Sequence, residues 1–438
     1  MEIDQLSKKL TQLEEENRRL RIGIEELSIL NEISIAISST LSLERVIDLI
    51  IHKCIKHLHV EQGAVMLLDK HDPGKPFHTM VRKADDSSKF LPYRMDTQLT
   101  GWMLKNRQPL LVNDLKNDSR FIKPKDVDLP VQSLLSVPLI LKGEMIGLLT
   151  AFNKKHVSGF TTEDQRLLSI IASQSTQVIE NARLYEEEQN LFRIQEEMRL
   201  ATEIQKILLP KDYPHFEGYD IAGQSIPAKD VGGDYYDFIK VDESRLAICL
   251  GDVSGKGMPA ALLMSNLQAT LRGQTMMLES GPKECIGRSN QLIFRSTDLD
   301  KFATLFYGII DNKSNHLIYT NAGHDIPFLL RGDRECSRLT TGGIVVGFVE
   351  KYSYDQDRVS FNTGDLLLLY SDGLTEAMNV DEEEFGEQRL YEVVQKNRDL
   401  SAAELIQVIM KNVFDFSSES TQMDDMTVVV VKRTGQEK

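Results

Sequence analysis

At 438 residues the chain is too long for one ordinary core, and a norm of roughly 100–200 residues per domain gives two domains plus connectors. A net charge of −15 and a pI near 5.2 argue against a nucleic-acid partner, which needs a basic face. The charged opening "MEIDQLSKKL" is no signal peptide, no apolar run approaches the ~20 residues of a membrane span, and four scattered cysteines lack C-x-x-C or zinc-ligand spacing, so a cytoplasmic protein with free thiols and no membrane attachment is expected.

Residues 1–31 carry a heptad pattern. Ile3, Leu6, Leu10, Leu13, Asn17, Leu20, Ile24, Leu27 and Asn31 alternate three and four apart. With Ile3 at position a, leucine fills every d position and Asn17 falls at a, where a buried amide favours a parallel, in-register homodimer. Lys9 would face Glu14 of the partner helix, and Glu16 would face Arg21. An N-terminal coiled coil over 1–31 is expected.

Residues 32–162 read as a mixed α/β sensor domain. "SLERVIDLIIHKCIKHL" (42–58) is an amphipathic helix, and "GAVMLLD", "SLLSVPLIL" and "MIGLLTAFN" are strand-like. The last two flank "KGE", a hairpin turn centred on Gly143. The order, with "SVPLILKGEMIGLLTAFNK" and "FTTEDQRLL", resembles a GAF domain, a module that binds a small ligand or another protein and dimerises. Asn153, Lys154, Phe160 and Asp164 match a motif of nucleotide-binding GAF domains, but Gln165 replaces its glutamate. Thr162 and Gln165 also spell a helix-capping box, so nucleotide binding is not expected.

The linker segment 163–210 is predicted to be one long helix, from about 163 to 209, that stops at Pro210 and has no internal Gly or Pro. Leu184, Leu191, Ile194, Met198, Ala201 and Leu208 form an apolar seam, interrupted by Gln205. Such a helix is expected to pair with its twin and to join the two domains rigidly.

Residues 211–438 alternate β-rich runs with helices in pairs, at about 258–278 and 282–296, then within 387–415, where Ser401 and Glu404 form a capping box. This suggests a layered α+β domain. Within it, "VGGDYYDFIKVDESRLAICLGDVSGKG" reads as a hairpin about "VDESR". Cross-strand partners then sum to a constant, which sets Asp234 opposite Asp252, where Cβ atoms are ~4.5–5.5 Å apart. Two carboxylates that close repel unless a cation or a proton intervenes. Asp372 ends the strand "DLLLLYSDG", while Asp424 and Asp425 begin "MDDMTVVVVK". Strand starts and ends alternate in antiparallel neighbours, so these acids can gather at one edge of a sheet. Hard oxygen ligands without histidine suit Mg²⁺ or Mn²⁺. Gly232 and Gly233 are read as bending the chain and admitting close approach. Gly255 and Gly257 open a helix without P-loop spacing.

In order, "VGGDYYDF", "GDVSGKGMPAALLM", "FATLFYGIID", "YTNAGHDIPFLL", "GIVVGF", "GDLLLLYSDGLTEAMN" and "DDMTVVVVK" resemble PPM-type metal-dependent protein phosphatases, most closely the bacterial SpoIIE/RsbU branch. "LATEIQKILLP" (200–210) resembles the switch helix preceding that domain. The resemblance implies an α-β-β-α sandwich and two Mn²⁺ or Mg²⁺ ions held by Asp234, Asp252, the Val253 carbonyl, Asp372 and Asp424. Asp425 matches the motif as well, with Asp424 favoured as ligand. It also implies phosphoester hydrolysis by a water activated between two metals, with Ser254 and Ser371 as loop residues. His324 is either a general acid or a turn-fixing residue. The implied substrate is a phosphoserine or phosphothreonine on a STAS-domain anti-anti-sigma protein. A catalytically silent scaffold would lack metal aspartates, and none is missing here. A nucleotide-processing enzyme would need a base pocket, and none is evident.

Overall fold

The computed structural model describes residues 42–68, 77–83, 97–121, 131–156, 158–277, 281–297, 301–332, 335–417 and 422–435, with a few helical positions between 9 and 17. The expected coiled coil over 1–31 therefore lies outside the described residues, apart from those few positions. The chain divides into two compact units after Arg193.

The first unit is built on one antiparallel sheet. Helix α1 (Leu43–Leu58) turns Val46, Ile47, Ile50, Ile51, Cys54 and Leu58 inward at three- and four-residue spacing and ends at His59 in the left-handed conformation. Strands β1 (Val60–Leu68) and β2 (Phe77–Lys83), helix α2 (Thr97–Asn106), then β3 (Leu110–Val112), β4 (Leu134–Leu141) and β5 (Glu144–Lys154) follow. The sheet order is β2-β1-β5-β4-β3. Lys142 and Gly143, both at positive φ, form the tight turn between β4 and β5.

Helix α3 (Thr162–Leu208) is continuous over 47 residues. Its cap differs from the expected Thr162–Gln165 pair. Asp164 accepts from the Thr161 N–H at 2.9 Å, and its own N–H donates to Thr161 Oγ1 at 3.2 Å. The box sits one residue earlier because Asp164 also takes Lys154 in a 2.7 Å ion pair. Asn153, at φ 53°, accepts the Gln132 N–H and donates to Glu61. The residues matching the nucleotide motif thus tie a strand end to a helix start. Leu168, Ile171, Ala172, Val178 and Ile179 bury the first half of α3 in the same core as α1.

The second unit has two sheets. Strands β6 (Tyr219–Ile226), β7 (Tyr235–Lys240) and β8 (Arg245–Val253) precede helices α4 (Met258–Thr275) and α5 (Pro282–Ser296). Strands β9 (Ala303–Asp311), β10 (His316–Ala322), β11 (Phe328–Leu330), β12 (Cys336–Arg338), β13 (Gly342–Gly343), β14 (Asp357–Ser360) and β15 (Leu366–Tyr370) come next. Helices α6 (Asp372–Thr375), α7 (Gly386–Lys396) and α8 (Ala402–Ser417) lead to β16 (Met426–Arg433). One sheet runs β13-β10-β9-β8-β7 with β14 beside β10, and the other runs β12-β11-β15-β16-β6.

Both sheets are covered on both faces. Ile248, Leu250, Phe306 and Tyr319 share one core with Leu367, Leu369, Val429 and Val431 of the other sheet. Leu366, Leu368 and Tyr370 point the opposite way, into a core with Leu390, Leu405, Ile406 and Ile409 of α7 and α8. Leu263, Met264, Leu267, Ile286 and Ile293 of α4 and α5 close the far side. The α-β-β-α sandwich follows, and burial on both faces explains why "LLLLY" is apolar without alternation.

Candidate metal centre

Strands β7 and β8 pair as Tyr235↔Gly251 and Tyr236↔Leu250, so one further step sets Asp234 against Asp252, in the register expected. Asp234 is buried, and neither of its carboxylate oxygens receives a hydrogen bond. The neighbouring hydroxyls of Ser371 and Thr427 donate elsewhere, to the Asp425 carbonyl and to Ser225 Oγ. An enclosed carboxylate without a donor is costly unless it is protonated or meets a cation.

The other acids come from the second sheet. Strands β15 and β16 pair as Tyr370↔Val428. Asp372 lies two residues past the end of β15, and Asp424 and Asp425 lie just before β16. The carboxylates therefore meet between two facing sheets rather than along the edge of one. Asp425 makes the join: its Oδ2 accepts from the Gly233 N–H at 2.6 Å and the Asp234 N–H at 3.3 Å, and its Oδ1 from the Ala228 N–H at 2.8 Å.

This reach across the sheets explains the glycines. A Cβ on Gly232 would stand 2.2 Å from Asp425 Oδ2, and one on Gly233 would stand 2.8 Å from the Val253 carbonyl oxygen. Gly373, the second residue of α6, packs against the Asp425 carbonyl, whose oxygen lies 2.2 Å from where a Cβ would sit.

Crowding shows in the protonation of the acids. Burial, then the charges of Asp372, Asp424 and Asp425, push the Asp252 carboxyl up to about 7. Burial and Asp252 hold Asp234 well above the usual carboxylate range, and burial and Asp424 raise Asp372. Lys256 relieves part of this: its Nζ lies 2.7 Å from Asp424 Oδ2 and donates to the Met423 carbonyl at 2.7 Å. Among the described residues no three acidic, histidine or cysteine side chains stand at the spacing of a finished coordination shell. The donor set is nonetheless all hard oxygen, and the unpartnered Asp234 is the group a cation would satisfy, so the residues fit Mg²⁺ or Mn²⁺.

Supports from farther away hold these carboxylates. Thr304 Oγ1 lies 3.3 Å from the Asp252 N–H, which donates to it, and 2.9 Å from His324 Nδ1. Burial pushes the His324 imidazole down to about 3. It is thus neutral at physiological pH and braces Thr304, consistent with the turn-fixing role. Ser254 Oγ accepts from the Phe302 N–H, and Ser371 Oγ binds the Asp425 carbonyl and the Thr427 N–H, so both serines serve the loops. The buried Gln205 side chain clasps Gly232 from α3, donating to its carbonyl at 2.7 Å and accepting its N–H at 3.0 Å. Gln205, Thr304, Lys256 and Asp325 were not expected at the site. Burial, then Asp372, lifts the Asp325 carboxyl to about 6. Gln205 had one visible signal, a lone amide in an apolar seam.

The family described as Stage II sporulation protein E (SpoIIE) matches residues 242–434, and the GAF domain family matches residues 40–180. Phosphoserine phosphatase RsbU of Bacillus subtilis (strain 168) is 32% identical over 260 residues, 57% of this chain and 75% of that protein. The chain belongs to the SpoIIE family of PPM phosphatases. It is a protein-serine/threonine phosphatase with a GAF domain, in a family that depends on metal ions. Protein IcfG of Synechocystis sp. is 30% identical over 263 residues, 54% of this chain and 41% of that one. The SiaA-PP2C domain of Pseudomonas aeruginosa superposes with a TM-score of 0.49 at 20% identity, covering 56% of this chain and 97% of that one. Among the described residues no helix is long and apolar enough to cross a membrane.

Proposed function

We propose that this SpoIIE-family phosphatase removes phosphate from a phosphoserine or phosphothreonine of a signalling protein, a STAS-domain anti-anti-sigma factor. Asp234, Asp252, Asp372 and Asp424, with the Val253 carbonyl, hold two Mn²⁺ or Mg²⁺ ions. The observation that carries this assignment is the buried Asp234 carboxylate with both oxygens unpartnered, set against Asp252 and crowded by acids from the facing sheet. Such ions, when bound, supply a water of lowered pKa and neutralise charge on the transferring phosphoryl group. Asp425 is engaged by three backbone N–H groups, which favours Asp424 over it as a ligand and gives Asp425 the task of holding the 228–234 loop. Thr304 and His324 keep Asp252 in place. A relative named phosphoserine phosphatase supports the substrate class. The GAF domain receives a small ligand or a protein as input, and the chain works as a parallel homodimer.

The test is Mn²⁺-dependent phosphate release from phosphorylated STAS proteins. Asp252→Asn and Asp372→Asn should each lower kcat/KM about a hundredfold or more, the scale for losing one group that stabilises the transition state. Undiminished turnover in both variants would defeat the assignment.

A further inference from the structure

The two ions of the proposed centre would take part of the charge of an arriving phosphate, and a side-chain cation beside the acids can take more of it. Lys256 is such a cation. It belongs to the 254–257 loop, between Gly255 at φ 100° and Gly257 at φ 74°. A Cβ on Gly257 would meet nothing within 4 Å, and one on Gly255 only the Lys301 Nζ, at 4.0 Å. The loop is therefore hinged by two residues of wide conformational freedom and is not walled in. The Lys256 side chain is 47% exposed and lies 2.7 Å from the Asp424 carboxylate. Its charge is felt at Asp372 too. The ammonium is thus already posted among the acids, on a loop that can turn.

We propose that Lys256 exchanges anionic partners during the reaction cycle. In the ion-free chain it neutralises Asp424. When divalent ions take that carboxylate, the ammonium is released to bind the phosphoryl oxygens of the substrate, and later of the phosphate product. Lys256 would then be the phosphate-docking residue of this centre. The chemistry suits a lysine: a compact ammonium with three donors and a flexible stem can serve a carboxylate and a phosphate in turn, as a point charge. The inference rests on the assignment of the aspartates as metal ligands.

The two partners predict changes of opposite sign. In the full chain, Lys256→Gln should bind Mn²⁺ more tightly, because a competing cation has left Asp424. The gain should be a few-fold, the measure of one half-exposed ion pair. The same variant, once saturated with Mn²⁺, should bind inorganic phosphate about tenfold more weakly, the scale for losing a charge-assisted hydrogen bond. Calorimetric titration reads both affinities without turnover. Lys256→Arg, which keeps the charge, should restore phosphate binding in large part. Unchanged Mn²⁺ and phosphate affinities in Lys256→Gln would overturn the exchange while leaving the metal centre standing. A wild-type chain that bound no Mn²⁺ would sink both. A loss of Mn²⁺ affinity in Lys256→Gln would mean that the lysine only braces the loop, and would equally overturn the proposal.

Discussion

Asp252 carries part of the electrostatic cost of the centre. Its carboxyl is lifted to about 7, against ~3.9 for an unperturbed aspartate. A raised carboxylate favours the fold while it is protonated. That contribution is complete below about pH 4 and disappears as the pH rises through about 7. The ion-free protein should therefore lose thermal stability over this window relative to Asp252→Asn, whose amide does not titrate. By pH 8 the variant should be the more stable of the two. Mn²⁺ competes with the proton for the same oxygens, so its stabilisation of the wild type should grow with pH. Thermal melts in chelator at pH 5 to 8, then with Mn²⁺, measure this. Parallel melting curves for the two chains would show that Asp252 is not under this strain.

At the scale of elements, α3 holds the loop of the centre through two side chains, Thr202, whose Oγ1 donates to the Asp230 carbonyl at 2.7 Å, and Gln205. Gln205 satisfies both the N–H and the C=O of Gly232, and Gly232 lies two residues from Asp234. Gln205→Ala leaves two buried backbone groups unpaired and should cost about 1–3 kcal/mol. Amide exchange should quicken at Gly232 and its neighbours, and unchanged protection there would refute the clasp. The same helix shows what a sequence can and cannot disclose. Its length and its stop were legible, since Gly and Pro are absent until Pro210. The β7–β8 register was legible too, because a symmetric turn fixes every cross-strand pair at once. Which sheet each acid came from was not: strand ends look alike whether their strands are neighbours or face each other across a core. Asp424 and Asp425 have the same chemistry and differ only in orientation, which packing decides. The capping box was ambiguous because Thr161–Asp164 and Thr162–Gln165 both satisfy the pattern, and Lys154, distant in sequence, selected the first.

For the whole molecule, the continuous α3 carries the question of how input could reach output. Leu191 and Ile194 are 62% and 50% exposed, as a seam awaiting a second copy of the helix would be. Aspartate at both positions should halve the mass seen in sedimentation, since two buried charges are intolerable in a coiled-coil seam. If the seam governs the phosphatase, that loss should also change Mn²⁺-dependent turnover. Ala201, itself a seam position, lies between the substituted Leu191 and Ile194 and the Gln205 clasp, within the same unbroken helix. Proline there removes a helical hydrogen bond and costs about 3 kcal/mol or more. It should break the mechanical link while leaving both ends able to fold. The decisive comparison is a cycle of four chains: wild type, the seam variant, Ala201→Pro, and the combination. With transmission along the helix, the seam substitutions should alter turnover in the wild type but have no further effect once proline is present. Equal effects in both backgrounds would mean that the seam and the metal centre communicate by some route other than α3, or not at all.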